Sequence, residues 1–236
     1  MDTDTLRIVV IEGPAGSGKS EISKQLVRYD DFSSITLLGD LRFPRPRKYT
    51  GIGGIILSAF KDQLSICSAA MQITEENKIQ VIDRCLLSQW VYGTLRAGKF
   101  ILDEAEGRNI ILAGMETAMS MLSSIGSRDL DTSLIMLGRF KQIEVMFFVL
   151  CPSIDLLEGN RELSEKLYPY APAMETALYT SAAKILYPVH ERTVWSASQK
   201  YKLRYQTITL SFSTWNSADG QAKKSADISR QFFSSR

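Results

Sequence analysis

Residues Gly13-Pro14-Ala15-Gly16-Ser17-Gly18-Lys19-Ser20 follow directly on an apolar, β-branched run from Leu6 to Glu12. This order constrains the chain more than any other feature in it. An apolar run of that length ending at glycine predicts a buried parallel strand, and Lys19 to Arg28 has the pattern of a helix. The turn between them is a complete G-x-x-x-x-G-K-[ST] in its required strand–loop–helix context. Its glycines allow the backbone to wrap an anion with the N–H groups turned inward. The helix that follows aims its positive end at the same place. The segment Gly13 to Ser20 is therefore predicted to cradle the phosphates of a nucleoside triphosphate such as ATP. Lys19 is expected to reach the β- and γ-phosphates and to face the ligand rather than the core, with Ser20 as a ligand for Mg2+.

The rest of the chain alternates in the same way. Further strands are expected at Ile35–Leu38, Ile79–Ile82, Ile143–Leu150 and Tyr205–Leu210. Helices are expected at 55–73, about 86–96, about 104–125, 173–186 and 219–233. Such alternation predicts an α/β fold, a five-stranded parallel sheet covered on both faces as a three-layer sandwich. At 236 residues the chain suits one domain, 1–236, able to bury a core without disulfides or structural metal. In sheets of this kind ligands bind at the carboxyl ends of the strands, so the residues standing there matter most.

Asp83 and Arg84 end the third strand. The carboxylate can hold the magnesium shell and the guanidinium can neutralise phosphate; an ordinary surface ion pair is the alternative. Asp40, after the second strand, is placed to accept a hydroxyl proton as general base, or else to cap a turn. Arg42, Arg45, Arg47 and Lys48 crowd one proline-interrupted loop. That loop suits an acceptor phosphate or a nucleic-acid backbone, though a solvated basic loop is common. Arg161 and Lys166 lie in a charged segment, about 155–172, that could close over the triphosphate as a lid and add positive charge in the transition state, or form a charged surface helix.

Composition closes other routes. A net charge of +2 is too small for wholesale binding to nucleic acid. The three cysteines, Cys67, Cys85 and Cys151, form no C-x-x-C pair, which argues against zinc or a disulfide framework. They are expected to be buried and reduced, as in a cytoplasmic-type compartment. No apolar run approaches membrane-spanning length, so no membrane partner is expected. The single histidine, His190, stands outside these motifs, which disfavours histidine-based catalysis.

Taken in order, these motifs resemble the thymidylate kinase and deoxynucleoside kinase group of P-loop kinases. Glu12-Gly13 is similar to the E-G that opens the cradle in both. Asp83-Arg84-Cys85-Leu86-Leu87-Ser88 is similar to the D-R-Y-x-x-S of the first and the E-R-S-x-x-S of the second. Phe60-Lys61-Asp62-Gln63 resembles the F-x-x-Q of deoxynucleoside kinases, where the glutamine reads the base edge; core packing for Phe60 and plain exposure for Gln63 are the alternatives. Arg161 sits where these families carry lid arginines. The acid that thymidylate kinases place at the position of Ala15 is absent, as is their R-E-P-G, whereas Asp40 could fill the place of the deoxynucleoside kinase base. The resemblance implies a P-loop NTPase fold, ATP and Mg2+, and transfer to a pyrimidine nucleoside- or nucleotide-type acceptor, through a hydroxyl. Two alternatives stand beside it. One is a kinase of hydroxymethyluracil within DNA, as in related phage kinases, served by the basic loop. The other is an ATP-binding switch without kinase activity. A homodimer is left open.

Overall fold

A computed structural model describes residues 5–34, 78–83, 88, 91, 92, 95, 142–164, 168–193, 202–214 and 218–235. Its strands are β1 (Thr5–Glu12), β2 (Phe32–Ser34), β3 (Ile79–Asp83), β4 (Gln142–Pro152) and β5 (Lys202–Phe212). Its helices are α1 (Lys19–Leu26), α2 (Ile154–Glu162), α3 (Pro172–Thr193) and α4 (Ala218–Ser234). The strands form one five-stranded sheet in the order β2-β3-β1-β4-β5, and every neighbouring pair is parallel. The fold is α/β, as the alternation of motifs predicts.

β1 lies at the centre because it carries apolar residues on both faces. Val9 and Ile11 share one face with Val81, Met146, Phe148, Leu150 and Leu210. There they pack with Ile22 and Leu26 of α1 and Ala222, Ala226, Phe232 and Phe233 of α4. Ile8 and Val10 point the other way, as alternation in a strand requires, and both are buried. On that side Glu12 meets Ser88 and, through it, Tyr179 of α3. Helices thus cover both faces. Ser88, Val91, Tyr92 and Leu95 are helical, and their i, i+3, i+4, i+7 spacing puts them on one helix face. Ser88, Val91 and Leu95 are buried, so this face is the one turned to the protein.

Two ends are tied down by specific chemistry. The Ser153 hydroxyl accepts the Leu156 N–H at 3.4 Å and caps α2. Arg204 of β5 donates to the Phe232 carbonyl at 2.6 Å, to the Ser235 hydroxyl at 2.6 Å and to the Ser235 carbonyl, satisfying acceptors that the end of α4 leaves open. The expected second strand, 35–38, and the helices expected at 55–73 and 104–125 lie outside the described residues. The strand observed before them, β2, begins earlier, at Phe32. No described helix is long and apolar enough to cross a membrane.

Candidate functional site

The cradle sits where β1 runs into α1, at the carboxyl end of the central strand. Gly13 opens it at φ +147, and a Cβ there would stand 2.7 Å from the Leu150 carbonyl oxygen and 2.9 Å from the Ser17 hydroxyl. Only glycine lets the loop leave the sheet so close to β4. Gly16 turns the loop at φ +86, with a Cβ position 3.2 Å from Cγ of Arg161.

The four successive carbonyls from Gly13 to Gly16 all accept side-chain hydrogen bonds. Lys19 Nζ donates to Gly13 O and Pro14 O, both at 2.6 Å, Arg161 Nε to Ala15 O at 3.0 Å, and Asn160 Nδ2 to Gly16 O at 3.0 Å. Lys19 also donates to Ser17 Oγ at 3.2 Å and is only 3 % exposed. The ammonium is therefore engaged with the loop's own oxygens. Ser20, on the first turn of α1, is exposed.

Asp83 ends β3 beside Ile11 of β1 and is exposed. The cradle and this carboxylate thus stand at the carboxyl ends of adjacent strands. Ser20 and Asp83 offer a hydroxyl and a carboxylate, hard oxygen donors of the kind magnesium takes along with water and phosphate.

Behind Asp83 the Glu12 side chain is fully buried. It accepts the Ser88 N–H at 3.3 Å and a short hydrogen bond from the Ser88 hydroxyl. A serine has a single O–H to give, so the 2.8 Å contact between Ser88 Oγ and the Tyr179 hydroxyl is donated by Tyr179. Glu12, legible in the sequence only as part of the motif's opening, pins the helix that follows β3 to the strand that precedes the cradle.

Arg161 is buried against the loop. Besides Ala15 O it donates to Tyr170 O at 2.7 Å and lies over the Tyr168 ring, 5.0 Å from its centre. Its Nη2 stands 3.0 Å from Glu175 Oε2, near enough for an ion pair though off the line of a hydrogen bond. The same carboxylate oxygen accepts the Ala15 N–H at 2.9 Å and the Tyr92 hydroxyl at 3.0 Å. The segment read as a lid begins in α2 and reaches the first residue of α3, and its Arg161 is engaged with the cradle backbone.

Sequence reasoning missed Glu175, Asn160 and Tyr92. Glu175 is legible as an acidic residue in a helix's first turn, a common placement. Nothing local says that it meets Ala15, 160 residues away. Asp40, Arg42, Arg45, Arg47, Lys48, Phe60, Gln63, Arg84 and Lys166 lie outside the described residues. Cys151, expected to be buried, is half-buried and free. Burial still raises its thiol above the usual range, the Thr180 hydroxyl partly opposing this.

A parallel sheet with this cradle between its central strand and the next helix is a P-loop NTPase-like α/β arrangement. No protein-family model matches the chain, and no curated protein matches its sequence. Among solved structures, a deoxyadenosine kinase from M. mycoides with bound dCTP is 13% identical, with a TM-score of 0.44, covering 97% of this chain and 100% of that one. The same enzyme with bound dATP is 12% identical, with a TM-score of 0.42 and the same coverage. At this similarity neither bears on what this chain binds.

Proposed function

We propose that the chain is an ATP- and Mg2+-dependent kinase that transfers the γ-phosphoryl group to a hydroxyl of a pyrimidine deoxynucleoside- or nucleotide-type acceptor. One observation carries the donor half: a complete cradle motif at the carboxyl end of the central strand, with its Ala15 carbonyl held by Arg161. A peptide whose carbonyl is fixed on one side presents the next N–H on the other, which is how such a loop offers donors to an anion.

Phosphoryl transfer depends on positioning and on charge neutralisation more than on covalent chemistry of the protein. Lys19 exchanges the Gly13 and Pro14 carbonyls for phosphate oxygens. Ser20 and Asp83 would hold magnesium, which when bound offsets phosphate charge. Arg84 adds positive charge beside Asp83. Asp40 orients the acceptor hydroxyl and takes its proton, and Gln63 pairs with the pyrimidine edge through its amide donor and acceptor. These last three assignments rest on sequence position and on the motif resemblance.

The test is to incubate the chain with Mg2+ and γ-labelled ATP and a panel of deoxynucleosides, deoxynucleotides and hydroxymethylated DNA. Label on a pyrimidine deoxynucleoside hydroxyl is the expected result. Label on the phosphate of a monophosphate would replace the hydroxyl acceptor by a phosphate acceptor. Label on the modified DNA would favour the DNA-kinase alternative. Binding of ATP with no labelled acceptor would point to a nucleotide-dependent switch.

A further inference from the structure

Ala15 is held from both sides by one ion pair. Its carbonyl takes Arg161 Nε at 3.0 Å and its N–H gives to Glu175 Oε2 at 2.9 Å, while the two side chains meet at 3.0 Å. Glu175 is 1 % exposed. A carboxylate so deeply buried is costly unless it is paired and hydrogen-bonded, and each of its partners named here belongs to a different part of the site. Ala15 is in the cradle, Arg161 is on α2, and Tyr92, which gives its hydroxyl to the same oxygen at 3.0 Å, is on the helical segment after β3.

We propose that Glu175 is a positioning residue of the phosphate cradle. It acts through Arg161 and the Ala15 amide. Arg161, fixed by the carboxylate, holds the Ala15 carbonyl outward. Because carbonyl and N–H are antiparallel across a trans peptide, this turns the Gly16 N–H to the inner side. Asn160, the residue before Arg161 on α2, holds the next carbonyl, Gly16 O, while the Ser17 N–H of that peptide closes on the Pro14 carbonyl at 3.2 Å. A loop without this brace would let a carbonyl swing toward the phosphates, where its negative end repels them. The proposal rests on the reading that the cradle binds a nucleoside triphosphate.

Titration calorimetry of Mg·ATP into the full chain tests it, with melting curves on the same samples. The variants are Glu175→Gln, Glu175→Ala and Tyr92→Phe. Asp31→Asn is the control, since Asp31 pairs with Arg230 of α4 just before β2, at the opposite end of the strands. Hydrogen bonds to a charged group are worth enough that Glu175→Ala should weaken binding about tenfold or more. Glu175→Gln keeps the shape and an acceptor for the Ala15 N–H but loses the charge, and should fall between. Tyr92→Phe should show a smaller loss, and Asp31→Asn none. If Glu175→Ala does not fold, Glu175→Gln and Tyr92→Phe decide. A Kd that stays at the wild-type value or tightens in the Glu175 variants, measured well below their melting points, overturns the proposal and leaves Glu175 a stability residue. Wild-type chain that binds no Mg·ATP overturns the triphosphate reading itself, and the brace with it.

Discussion

Lys19 ties the oxygens of Gly13, Pro14 and Ser17 together, and this changes what its loss should do. Lys19→Ala removes hydrogen bonds to Gly13 O, Pro14 O and Ser17 Oγ together with the charge meant for phosphate. Phosphoryl transfer should fall by about 10²-fold or more, the scale of losing one preorganised electrostatic donor. The melting temperature should fall as well, because three hydrogen bonds within the loop are lost and Pro14 O keeps only the Ser17 N–H. Steady-state kinetics and a thermal scan of the same variant check both. Gly13→Ala addresses the loop's geometry instead. Its Cβ would meet the Leu150 carbonyl at 2.7 Å in a backbone region that side chains avoid, so about 1–3 kcal/mol of destabilisation is expected, read by urea unfolding. The glycines, lysine and serine were legible because motif spacing is local. The Arg161–Glu175 pair was not, because its partners are brought together by the sheet and not by the sequence.

At the level of elements, boundaries followed apolar periodicity closely for β1, β3 and α4, and missed by several residues at β5 and α3. β5 runs from Lys202, a stretch whose alternation with polar residues weakens the signal. α3 continues through Pro188 to Thr193, although proline usually ends a helix. Two clamps at the amino end of the sheet are open to test. Arg204→Ala strips the end of α4 of its donors to Phe232 and Ser235 and breaks the 3.1 Å ion pair with buried Glu144. A loss of about 1–3 kcal/mol is expected in chemical denaturation, with nucleotide binding unchanged. Arg230 holds Asp31 by two hydrogen bonds of 2.8 Å and keeps its carboxyl below the usual range. A depressed folded pKa means stability that is present above the unfolded carboxylate value and lost as pH falls through the folded one. The pair is two-fifths exposed, 40%/41%, so Asp31→Asn should cost only about 0.5 kcal/mol at neutral pH. That difference should vanish on the acid limb of a pH–stability curve.

For the whole molecule, the sheet order explains why one strand carries the site. β1 lies between β3 and β4, so the loop leaving it has Asp83 on one side and the β4–α2 turn, with Asn160 and Arg161 beyond, on the other. The overall architecture was legible from alternating motifs because a parallel sheet buried on both faces leaves few other arrangements. The central claim is that Gly13 to Ser20 binds the phosphates of a nucleoside triphosphate. Backbone amide NMR of the isotopically labelled chain during titration with Mg·ATP measures this most directly, since glycine amides within the cradle report on the anion itself. The account predicts saturable, one-site shifts that are largest at Gly16, Gly18, Lys19 and Ser20, much reduced with AMP, which lacks the β- and γ-phosphates. Saturation with shifts confined to other parts of the chain, or no shifts at millimolar Mg·ATP, would contradict it.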